Sequence, residues 1–240
     1  MGKKNGKGKE YDYDGKLKFE GEYLYDFKLK GKLYIHEQYE YEGEFLYNKK
    51  WNGKGYDENH NIIYELTNGT GKVKEYNDND ELQFEGEYLN GKINGKGKEY
   101  NYDGKLLFEG EYLMGNRNGK GREFYSNGEL KFEGEYLNGK RNGVGKEYYN
   151  KGILLFEGEY INDQRNGKVK EYYKNGKIHF DGEYFNDKKW KGKEKNYDVL
   201  SGNLLFEGEY LNGEKNGKGK EYDKDGNLLF EGEYLNGKRI

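Results

Sequence analysis

In 240 residues the chain carries no Cys, no Pro and no Ala, but 27 Tyr and 39 Gly. Its 42 basic and 45 acidic side chains nearly cancel to a net charge of −3, which argues against a nucleic-acid binder despite the abundance of aromatic residues and lysine. Without Cys there is neither a disulfide framework nor a thiolate metal site, as fits a reducing compartment, and no run approaches the ~20 apolar residues of a membrane span.

The first residues, Met1 to Gly8, hold no apolar signal core, and Gly6 stands where a myristoylation motif carries Ser or Thr. Residues 1–18 read as the second half of a repeat. Residues 19–83 are degenerate: Phe19 opens one Phe-Glu-Gly-Glu-Tyr copy, Tyr41 opens a Tyr-Glu-Gly-Glu-Phe version, and Ile63–Leu66 with Asn68–Gly71 looks like an eroded unit. From residue 84 to 229 the register is regular. The motif starts at Phe84, Phe108, Phe132 and Phe156, with a near copy at Phe180, each 24 residues after the last, and returns at Phe206 and Phe230. Residues 230–240 form another half-unit. A fixed period of this length marks a repeat architecture, and no linker composition divides the chain, so a single repeat domain over 1–240 is expected.

Within a unit the alternation has period two. Leu106, Phe108, Gly110 and Tyr112 fall on one face of a strand, and Leu107, Glu109, Glu111 and Leu113 on the other. A six-residue turn, Met114 to Gly119, is expected next, followed by a return strand with Gly121 on the aromatic face. Ser126-Asn127-Gly128 then reverses the chain. Each unit is therefore a β-hairpin, and the fold class is all-β: an elongated, twisted single-layer antiparallel meander of about ten hairpins. A lone hairpin buries too little to hold itself, so neighbouring units must share aromatic burial. The structural residues are Phe84, Gly86 and Tyr88; Phe108, Gly110 and Tyr112; Gly119 and Gly121; Phe132, Gly134 and Tyr136; Phe156, Gly158 and Tyr160; and Phe206, Gly208 and Tyr210. The glycines leave bare backbone on which rings from adjacent strands can lie.

The pattern from Phe108 to Gly121 resembles the MORN repeat (membrane occupation and recognition nexus), and the spacer Tyr125-Ser-Asn-Gly-Glu-Leu resembles its variant class. The resemblance covers nearly the whole chain. It departs from the family where the usual His is Asn94, Asn118, Asn142, Asn166 and Asn216, and where the counterparts of Gly121 are Val169 and Lys193. It implies a curved single-layer sheet serving as a scaffold or attachment surface, with members often near membranes or cytoskeletal structures and sometimes fused to enzymes such as phosphoinositide kinases. These residues hold no such catalytic domain.

The residues point to no chemistry. His36, His60 and His179 sit in non-equivalent places, and His179 reads as an isolated strand residue. Glu109/Glu111-type pairs recur in almost every unit, unlike an active site, and read as a solvated face. The Gly-Lys strings lack the spacing of a phosphate loop. No catalytic, cofactor or metal site is expected.

Two features suggest an interaction surface. The expected hairpin tips are basic, with Lys92, Arg117, Lys140, Arg141, Arg165, Lys188, Lys189, Lys215, Lys238 and Arg239 lining one edge. Trp51 and Trp190 each follow Lys-Lys and lie ten residues after their unit's opening aromatic. The expected function is a non-enzymatic scaffold that binds proteins. The alternative is a peripheral binder of anionic phospholipid through the basic tips. A cytoplasmic location, at a membrane or the cytoskeleton, fits both. The open sheet ends also suggest head-to-tail self-association.

Overall fold

The structure is a computed structural model and describes residues 2–35, 38–77 and 81–240. The chain divides into two compact units, Met1–Gly128 and Glu129–Ile240.

In the first unit the strands are β1 (Gly6–Tyr11), β2 (Leu17–Leu24), β3 (Phe27–Ile35), β4 (Gln38–Leu46), β5 (Lys49–Tyr56), β6 (Ile62–Leu66), β7 (Gly71–Tyr76), β8 (Leu82–Leu89), β9 (Lys92–Tyr100), β10 (Leu106–Leu113) and β11 (Asn116–Phe124). The second unit holds β12 (Leu130–Leu137), β13 (Lys140–Tyr148), β14 (Leu154–Ile161), β15 (Gln164–Tyr172), β16 (Ile178–Phe185), β17 (Lys188–Tyr197), β18 (Leu204–Leu211), β19 (Glu214–Tyr222), β20 (Leu228–Leu235) and β21 (Lys238–Arg239). Except for β6 and β7, sequential neighbours pair antiparallel within each unit, as the expected meander requires. The short β21 begins a return strand, pairing Tyr234 with Arg239.

The meander is interrupted once in the first unit. Between β6 and β7, among the described residues, only the Thr67–Thr70 bridge forms. The reason lies in the side chains at the glycine positions. In most hairpins two glycines face each other, as Gly110 and Gly121 do. Here buried Leu66 and Val73 both take those places, so neither strand offers the bare backbone of a glycine. The eroded unit keeps its frame but loses its ladder.

The hairpin turns are shorter than the sequence suggested. Met114 and Gly115 alone make the turn after β10, both at positive φ (50° and 95°). Two residues with left-handed backbone match the twist of the flanking strands, so Asn116 already belongs to β11. Gly119, expected inside the turn, is instead a bulge in that strand with φ 98°. The Glu of the opposing strand holds such bulges: the backbone N–H of Lys96, Val144 and Lys218 donates to Glu87, Glu135 and Glu209 at 3.2, 3.3 and 3.0 Å. In the Phe180 hairpin the bulge is one residue shorter. Gly182 pairs with Gly192 and Tyr184 with Lys189, so Gly192, not Lys193, is the counterpart of Gly121.

The alternation of faces is as expected. Phe108 is fully buried and Tyr112 nearly so, while Leu107 and Leu113 on the other face are exposed. A single layer buries a ring by laying it flat. A Cβ at Gly110 would meet the Phe108 Cζ at 2.7 Å and the Gly121 Cα at 2.8 Å, so the ring occupies the space that a side chain would need. It comes from the glycine's own strand, two residues earlier, rather than from a neighbouring one. Tyr112 then meets Phe108 edge to face at 5.7 Å, a geometry the ring quadrupole favours. Neighbouring hairpins add a second ring in the same way: Tyr160 abuts Phe132 at 5.3 Å and Tyr184 abuts Phe156 at 6.1 Å.

Candidate interaction surfaces

The basic side chains nine residues after most opening aromatics close the aromatic face; after Phe84 the place is taken by Ile93. They are not tip residues. Arg117 lies over Phe108 with its guanidinium carbon 4.0 Å from the ring centre, and Arg141, Arg165, Lys189, Lys215 and Arg239 repeat the contact over Phe132, Phe156, Phe180, Phe206 and Phe230. The cause is positional. Because the turn takes only two residues, the ninth residue stands in the return strand, across from the Tyr of the aromatic face, as Tyr112 pairs with Arg117. A cation over a ring face gains electrostatic attraction that grows as water is removed.

Glutamates of the same return strand and of the return strand of the preceding hairpin balance these cations. Arg117 bonds Glu99 at 2.5 and 3.1 Å, and the Tyr112 hydroxyl donates to the same carboxylate at 2.5 Å. Arg165 bridges Glu147 at 2.5 Å and Glu171 at 3.2 Å, while Tyr160 and Tyr184 donate to those two glutamates at 2.7 and 2.6 Å. Burial alone would raise the Glu147 pKa, but hydrogen bonds from Arg165 and Tyr160 outweigh it and hold the carboxyl below its ordinary value. Burial also pushes the Tyr112, Tyr160 and Tyr184 hydroxyls well above theirs, helped by the glutamates they serve. Each hydroxyl thus stays a donor, and Glu147 a charged acceptor.

His179 is not isolated. Its Nδ1 lies 3.5 Å from Glu171 and its Nε2 3.2 Å from Glu194, both glutamates being buried. The Tyr173 ring sits 4.6 Å away, and Lys189 reaches Glu194 at 2.5 Å. Burial opposes the Glu194 charge, yet hydrogen bonds from His179, Lys189 and Tyr210 bring its pKa down to about 2. Nothing in the sequence around His179 marks this cluster, since its partners come from other strands. His36 lies outside the described residues, and His60 stands in the loop between β5 and β6 with φ 62°. Among the described residues no group of His, Cys, Asp or Glu could hold a metal ion.

At the turn edge, Lys92, Lys140, Lys188 and Lys238 open their strands and are exposed. Acid offsets some of this charge: the turn residues Asp163 and Asp187 accept the backbone N–H of Arg141 and Arg165 at 2.8 Å each. The asparagines that replace the family His tie hairpins together. Asn94 and Asn142 accept the N–H of Met114 and Asn162, twenty residues on, at 3.3 Å each. The two tryptophans differ. Trp51 packs on Gly69, whose N–H donates to the Trp51 carbonyl at 2.7 Å. Trp190 occupies the short bulge of β17 and is 44% exposed, with the Lys191 ammonium 4.8 Å from its ring.

The opposite face is charged in stripes. Outgoing strands present glutamate or aspartate and return strands lysine, joined by exposed pairs such as Lys195–Glu207 at 3.3 Å and Lys220–Glu231 at 3.0 Å. Such pairs contribute only tenths of a kcal/mol each. In the second unit this face forms a groove of about 940 Å³, lined among others by Val144, Lys168, Asp181, Lys191 and Leu211. An apolar row runs across the stripes on the same face: Leu137, Ile161, Phe185, Leu211 and Leu235, each the last residue of its outgoing strand and each at least 40% exposed.

These features define a class: an antiparallel hairpin-repeat protein with glycine-seated aromatic rings on one face and charged stripes on the other. Family models agree. The MORN repeat matches residues 84–105, 132–153 and 206–228, and the MORN repeat variant matches 4–25, 70–90, 117–138 and 165–186. Together they cover more than half of the chain, and the protein belongs to the MORN-repeat family. Such repeats are generally non-catalytic modules for interaction with proteins or membranes. Among curated proteins nothing matches. A crystal structure of TcdB2-TccC3-TEV is similar over 91% of this chain at 12% identity with a TM-score of 0.24, and the chain spans 12% of that chain's length.

Proposed function

We propose that the protein is a non-enzymatic scaffold that docks a protein partner on the charged, grooved face of its second unit. The apolar row carries this reading. In a chain with mean hydropathy of −1.34, five large apolar side chains stand at equivalent positions on one face and stay at least 40% exposed. Exposed apolar groups lined up on one face mark an interaction site. The stripes state the partner's chemistry. A segment crossing the strands meets acidic and basic rows in turn, about 4.8 Å apart, so the matching surface is a polypeptide of mixed charge with aliphatic or aromatic anchors.

The anionic-phospholipid reading has weaker support. Six of the basic residues assigned to the tips are spent on ring faces and glutamates, which leaves one exposed lysine at some of the turns. The substitutions Phe185→Lys and Leu211→Lys test the docking reading. They should abolish capture of a partner in pull-down while leaving the thermal midpoint within a few degrees of wild type, because both side chains are exposed. Undiminished capture by the double variant would remove the row from the binding surface. Binding to acidic vesicles that weakens steeply with salt and survives the double variant would favour the lipid reading.

A further inference from the structure

Asn-Gly is the sequence at many turns of this chain, and it is also the sequence most open to a reaction of the backbone with its own side chain. The glycine nitrogen can attack the asparagine Cγ. A C–N bond forms, the side-chain nitrogen leaves as ammonia, and a five-membered imide results. Water then opens the imide to an aspartyl or isoaspartyl residue. No other reactant is needed. The step requires a glycine N–H that is not held elsewhere, since the nitrogen must lose its proton and approach Cγ.

Most turns in this fold hold that N–H. The Gly69, Gly91 and Gly237 N–H groups donate to the carbonyls of Trp51, Gly69 and Lys215 at 2.7, 2.9 and 2.9 Å. These bonds form part of a ladder along the turn edge, in which each turn is tied to the hairpin before it. The Asn212-Gly213 turn is the exception. The preceding hairpin, opened by Phe180, lacks one residue in its bulge, with Trp190 at the position where neighbouring hairpins carry Asn. The ladder therefore slips by one residue. The Trp190 carbonyl receives the N–H of Asn212, at 2.5 Å, instead of that of Gly213. Among the described residues the Gly213 N–H makes no hydrogen bond, nor does the Asn212 side chain. Both residues are exposed, and Gly213 sits at φ 81°, where only the Lys189 carbonyl oxygen, at 3.9 Å, comes within 4 Å of an added Cβ.

We infer that Asn212 is a site of spontaneous deamidation, selected by the slipped turn rather than by its sequence. The product adds a carboxylate next to Leu211, which lines the groove. Its isoaspartyl form adds an atom to the backbone of a turn whose two residues must match the strand twist.

Incubation of the folded chain at mildly alkaline pH, followed by peptide mapping with mass spectrometry, tests this. Asn212 should convert about fivefold faster than Asn90 and Asn236, the factor by which a typical net hydrogen bond withholds the N–H. In strong denaturant the three sites should convert alike, because they share Asn-Gly. Asn212→Gln should remove the fast phase. Equal rates in the folded chain, or a lead for Asn212 that persists in denaturant, would overturn the inference.

Discussion

One hairpin of the second unit, β12–β13, tests the central claim that glycine pairs seat the rings. A methyl added at Gly134 would lie 2.6 Å from the Phe132 Cζ, 2.8 Å from the Gly145 Cα and 2.9 Å from the Val144 carbonyl oxygen. Two of these three atoms are backbone of the paired strand, so relief requires parting the ladder. At Gly145 the nearest atoms are Phe132 Cζ and Cε2, at 2.5 and 2.6 Å, and backbone comes no closer than 3.3 Å, so relief needs only a tilt of the ring. Overpacking of this kind costs about 1–3 kcal/mol. If Phe132 loses half of its burial, roughly 100 Å² of apolar surface returns to water, about 2.5 kcal/mol at 25 cal/mol/Å². Replacing strand glycine by alanine recovers about 0.5–1 kcal/mol. Gly134→Ala should therefore destabilise by about 3–4 kcal/mol, and Gly145→Ala by about half as much. Gly139→Ala, with nothing within 4 Å and φ 85°, should cost about 1 kcal/mol from the left-handed backbone alone. Urea unfolding followed by aromatic fluorescence measures all three. The seating argument fails if Gly134→Ala costs no more than Gly139→Ala, or if Gly145→Ala proves the worse of the strand pair. The sequence points the same way: the return-strand position tolerates Val169, whereas its partner Gly158 is glycine like its equivalents in the neighbouring hairpins.

Three further outcomes are expected. Arg165→Met keeps cover over Phe156 but takes one cation from Glu147 and Glu171, which keep Arg141 and Lys189, and should lower stability by about 1.5–3 kcal/mol, while Arg165→Lys should lose less; thermal unfolding distinguishes them. Glu10, Glu194 and Glu221 each have a pKa lowered to about 2. Because these folded-state values lie below the ordinary carboxylate range, the stabilisation is complete above pH ~4.5 and fades as pH falls toward 2; a thermal midpoint that does not drop across that window would contradict the pairing. In single-tryptophan variants, Trp190 should emit further to the red than Trp51 and be quenched more by acrylamide, since Trp51 packs on Gly69; matching quenching would remove that distinction.

The amino-acid order by itself determined the repeat, the class and the faces. A period of 24 residues and strict alternation from Phe108 to Leu113 leave one arrangement that buries the aromatics, because a strand shifted by one residue turns every side chain to the opposite face. Where the glycines sit was legible too, since a ring can lie flat only where no side chain stands. The fate of the basic residues was not. Arg117 lies beside an Asn-Gly sequence that reads equally well as turn or as bulged strand, and the choice rests on backbone angles: left-handed φ at Met114 and Gly115 ends the turn early and draws Arg117 into the strand and onto Phe108. His179 was illegible for a related reason, because Glu171 and Glu194 reach it from β15 and β17, and only the paired strands bring them together. Sequence spacing fixes what lies along a strand. What lies across strands is set by turn length and bulges, where one residue more or less moves every contact beyond it.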